Sequence, residues 1–129
     1  MTQFDHEKLE VYQVAVDFVT LANDVVERLP RGRAYLADQL QRASSSIPLN
    51  IAEGAGEFAR KEKARFYRMA KRSATECAAI MDVLRRLEVI DAGLYEPGRE
   101  LLLRTASMLT QLARRQAETG TGRGTDTGT

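Results

Sequence analysis

Apolar residues recur every three or four positions over four stretches of the chain, roughly 7–29, 33–53, 59–90 and 95–118, and no stretch alternates with period two. Pro30, Gly32, Gly54, Gly56, Asp91, Gly93 and Pro97 punctuate the joints. Joints this short favour antiparallel neighbours. The pattern predicts an all-α fold, an antiparallel up-down-up-down four-helix bundle occupying residues 1–118. The Gly- and Thr-rich stretch 119–129 has nothing to bury and is expected to be a disordered tail.

The first helix carries more apolar surface than one bundle face needs. Leu9, Tyr12, Val16, Val19 and Val26 form one row, read as the inward seam. Val11, Val14, Phe18, Leu21 and Val25 form a second, about 200° around the helix. A monomer needs one stripe, so the second row is expected to form a subunit interface.

In the second helix, Leu36, Leu40, Ala43, Ile47 and Ile51 keep one stripe through Pro48, which predicts a single helix kinked at the proline. The hydroxyls of Ser44, Ser45 and Ser46 are placed to bond carbonyls near the kink. Gly54 is expected to end the helix in a left-handed conformation. Ser46, Asn50 and Glu53, with Ser73 and Glu76 of the third helix, are the candidate polar network. Its role is expected to be structural, because the spacing brings no second carboxylate or base beside it.

In the third helix, Phe66, Ala70, Ser73, Cys77, Ile80, Leu84 and Leu87 trace a core seam. Lys61, Arg65, Arg68 and Arg72 form a basic row about 140° away, with Lys71 beside it. Composition sharpens this. The net charge is +1, yet residues 60–72 hold seven basic residues against Glu62 alone, a local +6 that leaves −5 for the rest. A row of four with so few acids at helical spacing favours a polyanion, whereas a merely solvated face is the plain alternative. These five residues are the candidate nucleic-acid-binding set. No exposed aromatics interleave the row, so binding is expected to be driven by phosphate contacts and largely blind to sequence.

The remaining composition removes other classes. Hydrophobic residues make up 43% and charged residues 29%, and no apolar run is long enough for a membrane span. The charged start is unlike a signal peptide, so a cytoplasmic location is expected. Cys77 and His6 are each the sole residue of their kind, which leaves no disulfide framework, no spacing for a metal site, no cofactor motif and no nucleophilic triad. The chain is expected not to be an enzyme.

The stretch Ser46–Gly56, "SIPLNIAEGAG", preceded by "QLQRA" and followed by Phe66 and "SATE", resembles the 23S rRNA-intervening sequence protein family, as does the opening "FDHEKLEVYQVA". The resemblance spans residues 4 to about 115. It implies an antiparallel bundle assembled into a ring, a homopentamer in characterised members, encoded within insertions in large-subunit rRNA genes. A related branch serves diversity-generating retroelements as an accessory that binds nucleic acid and the reverse transcriptase. No catalytic residues are established for the family. Two features depart from the pattern: Ala59 stands where a Ser or Thr often caps the third helix, and the chain is near neutral where the retroelement branch is strongly basic.

The expected function is therefore a non-enzymatic, ring-forming bundle that binds nucleic acid, RNA before DNA, through the basic face. The rival is a scaffold or accessory subunit that docks an acidic protein partner such as a reverse transcriptase.

Overall fold

The structure, a computed structural model, describes residues 2–121 and the side chains of residues 2–117. A short 3-10 turn, Asp5–Lys8, leads into four helices: α1 Glu10–Arg28, α2 Ala34–Gly56, α3 Arg60–Arg86 and α4 Ala92–Thr121. There is no strand among the described residues. Each helix packs on the two beside it, α1 on α2 and α4, α3 on α2 and α4, so the four enclose one core. α4 runs three residues into the stretch expected to be a tail, and residues 122–129 lie outside the described residues.

The two apolar rows of α1 are exchanged relative to the sequence expectation. Val11, Val14, Phe18 and Val25 are buried within the single chain, and Leu21 is half-buried against the core, so this row is the seam rather than a subunit interface. Tyr12, Val16, Val19 and Val26 stand half-exposed at the rim. Small residues decide between the rows. Ala15 and Ala22 lie beside Phe18, where they let neighbouring helices approach closely, and both are fully covered. Across the core, a Cβ on Gly98 of α4 would meet Met81 Cε at 2.9 Å and Leu21 Cδ2 at 3.1 Å. α4 can approach Phe18 and Leu21 because position 98 carries no side chain.

The apolar stripe of α2 is buried as expected, from Leu36 to Ile51, and the helix continues through Pro48 to Gly56. Gly54 is therefore inside the helix, with ordinary φ, and does not terminate it. Packing accounts for the glycine: a Cβ there would lie 2.8 Å from the Tyr67 ring. Tyr67 is buried against this bare backbone, and burial, then the charge of Asp5, pushes its phenol pKa up. The α3 seam turns slightly from the expected row. Ala70, Cys77, Ile80 and Leu84 are core, joined by Tyr67, Ala74 and Met81, while Phe66 and Ser73 are half-buried and Leu87 exposed.

The end of α3 is set by its backbone. Glu88 has φ 61°, its N–H donates to Arg85 O at 3.0 Å, and the Val89 N–H donates to Leu84 O at 3.1 Å. This is the paired-bond helix stop in which glycine is preferred. A β-carbon in the left-handed region costs about 1–2 kcal/mol, against roughly 0.5–1 kcal/mol for the extra unfolded-state freedom of glycine. Glu88→Gly is expected to raise the unfolding midpoint by about 0.5–1 kcal/mol equivalent. Thermal or denaturant melts check this, and a variant that melts below the parent contradicts it. After the stop, Asp91 Oδ1 accepts the Leu94 N–H at 3.1 Å and starts α4, leaving Pro97 within the helix rather than at the joint.

Candidate nucleic-acid interface

Helix geometry puts Lys61, Arg68 and Arg72 along one exposed side of α3, with Lys71 half-buried beside them. No acidic side chain comes within ion-pair distance of these four among the described residues. The other basic residues of the segment are engaged. Arg65 Nη2 and Nε both lie 3.0 Å from Glu62 Oε1, and its guanidinium sits 4.6 Å from the centre of the Phe66 ring. The basic row thus loses one member to a surface ion pair with the one acid of the segment, an interaction worth about 0–1 kcal/mol that phosphate can displace.

Lys63 does something the linear charge count missed. Its ammonium donates to Ala55 O at 2.9 Å and Gly54 O at 3.3 Å, satisfying carbonyls at the end of α2. Gly54 O also accepts the Glu57 N–H at 3.2 Å, and carbonyls at a helix end carry the negative end of the helix dipole. The signal in the sequence was a lysine shortly after a helix that ends in Gly-Ala-Gly with no basic residue in its last turn. Arg60 reaches across to α4, with Nη1 3.4 Å from Gln116 Oε1.

Two surface recesses follow this face. Arg65, Arg68, Met69 and Arg72 line one of about 480 Å³, and Ala59, Arg60, Lys61, Ala64 and Arg68 line another of about 630 Å³ closed by Gln116 and Ala117 of α4. Arg68 borders both, so cations run along about three turns of helix. A larger cleft of about 1030 Å³ opens at the α3–α4 turn. There Arg85, Arg86 and Arg99 are balanced by Asp82, Glu88 and Asp91, so it does not extend the positive field.

The candidate polar network is only partly assembled. The hydroxyls of Ser46 and Ser73 share a hydrogen bond at 2.6 Å that ties α2 to α3. Ser44, Ser45 and Ser46 also donate to the carbonyls of Gln41, Arg42 and Ala43, one to two turns ahead of Pro48. Asn50 Nδ2 donates to Ser46 O at 2.9 Å. The carbonyl that loses its partner to Pro48 is that of Ser44, so Asn50 braces the turn beside the proline rather than filling the gap it leaves. Glu53 and Glu76 are exposed and have no hydrogen bond or ion pair among the described residues, so they stand outside the network. Asn50→Ala is expected to cost about 1 kcal/mol, seen as a melting point a few degrees lower. An unchanged melt shows that the bond contributes nothing.

Cys77 is fully covered, and burial followed by the charge of Glu76 pushes its thiol up to about 12, so it stays protonated at neutral pH. His6 lies in an ordered turn, stacked on Phe4 with ring centroids 5.7 Å apart and tilted against Tyr12 at 4.5 Å. No group of three or more His, Cys, Asp or Glu that could hold a metal ion occurs among the described residues. No described helix is long and apolar enough to cross a membrane.

The sequence model of one protein family, described as 23S rRNA-intervening sequence protein, matches residues 7–111. Among solved structures, the chain is similar to a protein of unknown function from the S23 ribosomal protein family of Bacteroides thetaiotaomicron, determined at 1.70 Å. The two are 20% identical, with a TM-score of 0.74 over 80% of this chain and 97% of that one, a likeness of fold. No curated protein matches the chain.

Proposed function

The chain belongs to the 23S rRNA-intervening sequence protein family, and from that premise we propose that it is a non-enzymatic, ring-forming cytoplasmic bundle that binds nucleic acid through α3. The observation that carries the reading is the set Lys61, Arg68, Lys71 and Arg72, four cations without acidic partners on one side of one helix in a chain of net charge +1. Four like charges held this close repel one another, and a phosphate backbone relieves that cost while releasing its condensed counterions. RNA is the first candidate ligand, in keeping with the family's name.

Self-association, with five copies as the working number, is supported by the half-exposed row Tyr12, Val16, Val19 and Val26 on α1. A ring repeats the basic face once per subunit, and a weak patch becomes a multivalent surface.

The test is a titration of labelled RNA and of a DNA duplex with purified protein across a salt series. Log affinity should fall linearly with log salt, by roughly 0.7–0.9 per phosphate contact. If neither polymer binds even at low salt, the reading fails. The face then docks an acidic protein such as a reverse transcriptase, or is only solvated.

A further inference from the structure

The three-residue connection between α2 and α3 ends in an unusual exposure. Phe58 is 99% exposed, more than any other large apolar residue among the described ones. Single exposed apolar residues are common and need no explanation by themselves. The setting separates Phe58 from Phe4, Tyr35 and Leu49. It directly precedes Ala59, which together with Ala64, Ala117 and the cations Arg60, Lys61 and Arg68 lines the 630 Å³ recess at the head of the basic track. An uncovered aromatic residue is therefore the chain neighbour of this recess, at the end of α3 toward which Arg72, Arg68 and Lys61 lead. The ring is absent from the periodic pattern of α3 because it lies one residue outside the helix cap, and so no aromatic was expected beside the row.

We infer that this end of the molecule takes single-stranded nucleic acid, with an unstacked base lying on the Phe58 ring and the recess beside it, while Lys61, Arg68 and Arg72 hold the phosphates. The inference rests on the nucleic-acid reading of α3 and narrows it. A duplex keeps its bases stacked on one another and offers the ring nothing, whereas every base of a single strand has a free π-face. Stacking carries no net charge, so the ring adds affinity without adding to the salt dependence. The alanine-walled recess with a basic rim suits a flat heterocycle flanked by phosphate. The other recess, lined by Arg65 and Arg72 and sharing Arg68 with the first, continues the path along the helix.

The experiment compares the parent, Phe58→Ala and Phe58→Trp by fluorescence anisotropy. The probes are a labelled oligouridylate, an oligothymidylate of the same length and a duplex of that length, each at several salt concentrations. Phe58→Ala should weaken both single strands about five- to 150-fold, leave the duplex unchanged and keep the same salt slope. Phe58→Trp should restore or exceed parental affinity. Phe58 is fully exposed, so both variants should melt with the parent. Unchanged single-strand affinity in Phe58→Ala, or an equal loss for the duplex, overturns the stacking role while leaving the phosphate surface intact. A parent that binds no probe at low salt removes the nucleic-acid reading itself, and the stacking role with it.

Discussion

Changing Lys61, Arg68 and Arg72 together to Glu is expected to lower affinity for RNA and DNA on the order of 100-fold or more at low salt and to flatten the salt dependence. Each of the three cations that meets a phosphate accounts for a slope of about 0.7–0.9, and reversal replaces attraction with repulsion at the same positions. The fold should not suffer. All three side chains are exposed and none has an acidic partner to lose, so stability should stay within about 0.5 kcal/mol of the parent. Replacing the same residues with one another's type, Arg by Lys or Lys by Arg, should retain most of the binding. A triple variant that folds and binds as the parent does would eliminate the α3 face as the phosphate surface.

Phe18→Ala is expected to be the most damaging single truncation, costing about 3–5 kcal/mol. Phe18 is fully buried at the centre of the α1 seam, with its ring close to Gly98 of α4, where a Cβ would lie 3.6 Å from Phe18 Cε1. The backbones around it are already close-packed through Ala15, Ala22 and Gly98 and cannot collapse further into the cavity. Against a typical total stability of about 5–15 kcal/mol, a loss of this size moves the thermal midpoint by roughly 10–20 °C. The companion change Val16→Asp acts on the half-exposed row. It should melt within a few degrees of the parent when monomeric and reduce self-association in sedimentation. If Phe18→Ala instead leaves the melt intact and dissociates an oligomer, the two rows of α1 have the roles first read from the sequence.

That exchange of rows illustrates where linear patterning stops. Helical period and joint residues set the number, type and approximate extent of the helices, and the stripe of α2 was unambiguous because only one apolar row runs along it. α1 offered two rows of similar hydrophobicity. The choice between them depends on the helices that face α1, and above all on Gly98, seventy residues or more away from the row it admits. Gly54 was misread for the same reason. As a residue near a helix end it looked like a stop, and its meaning is the Tyr67 ring pressed against it from another helix.

Charge behaved similarly at the candidate site. The sequence by itself determined that one helix carries a local +6, that its cations share a face, and that no cysteine or histidine cluster competes for the chemistry. These are properties of composition and of a fixed 3.6-residue repeat, which any α-helix must express. Arg65 is tied to Glu62 three residues before it on the same helix, a pair that local spacing already allows. Only the tertiary structure decided that Lys63 is drawn onto the end of α2, that Arg60 reaches α4, and that, among the described residues, no other helix brings an acid to Lys61, Arg68, Lys71 or Arg72. It also decided that Phe58 is uncovered and that Glu53 and Glu76 join no network. Burial and pairing are set by which elements are brought together in space, and a side chain's distance from a partner on another helix is not encoded in any local period.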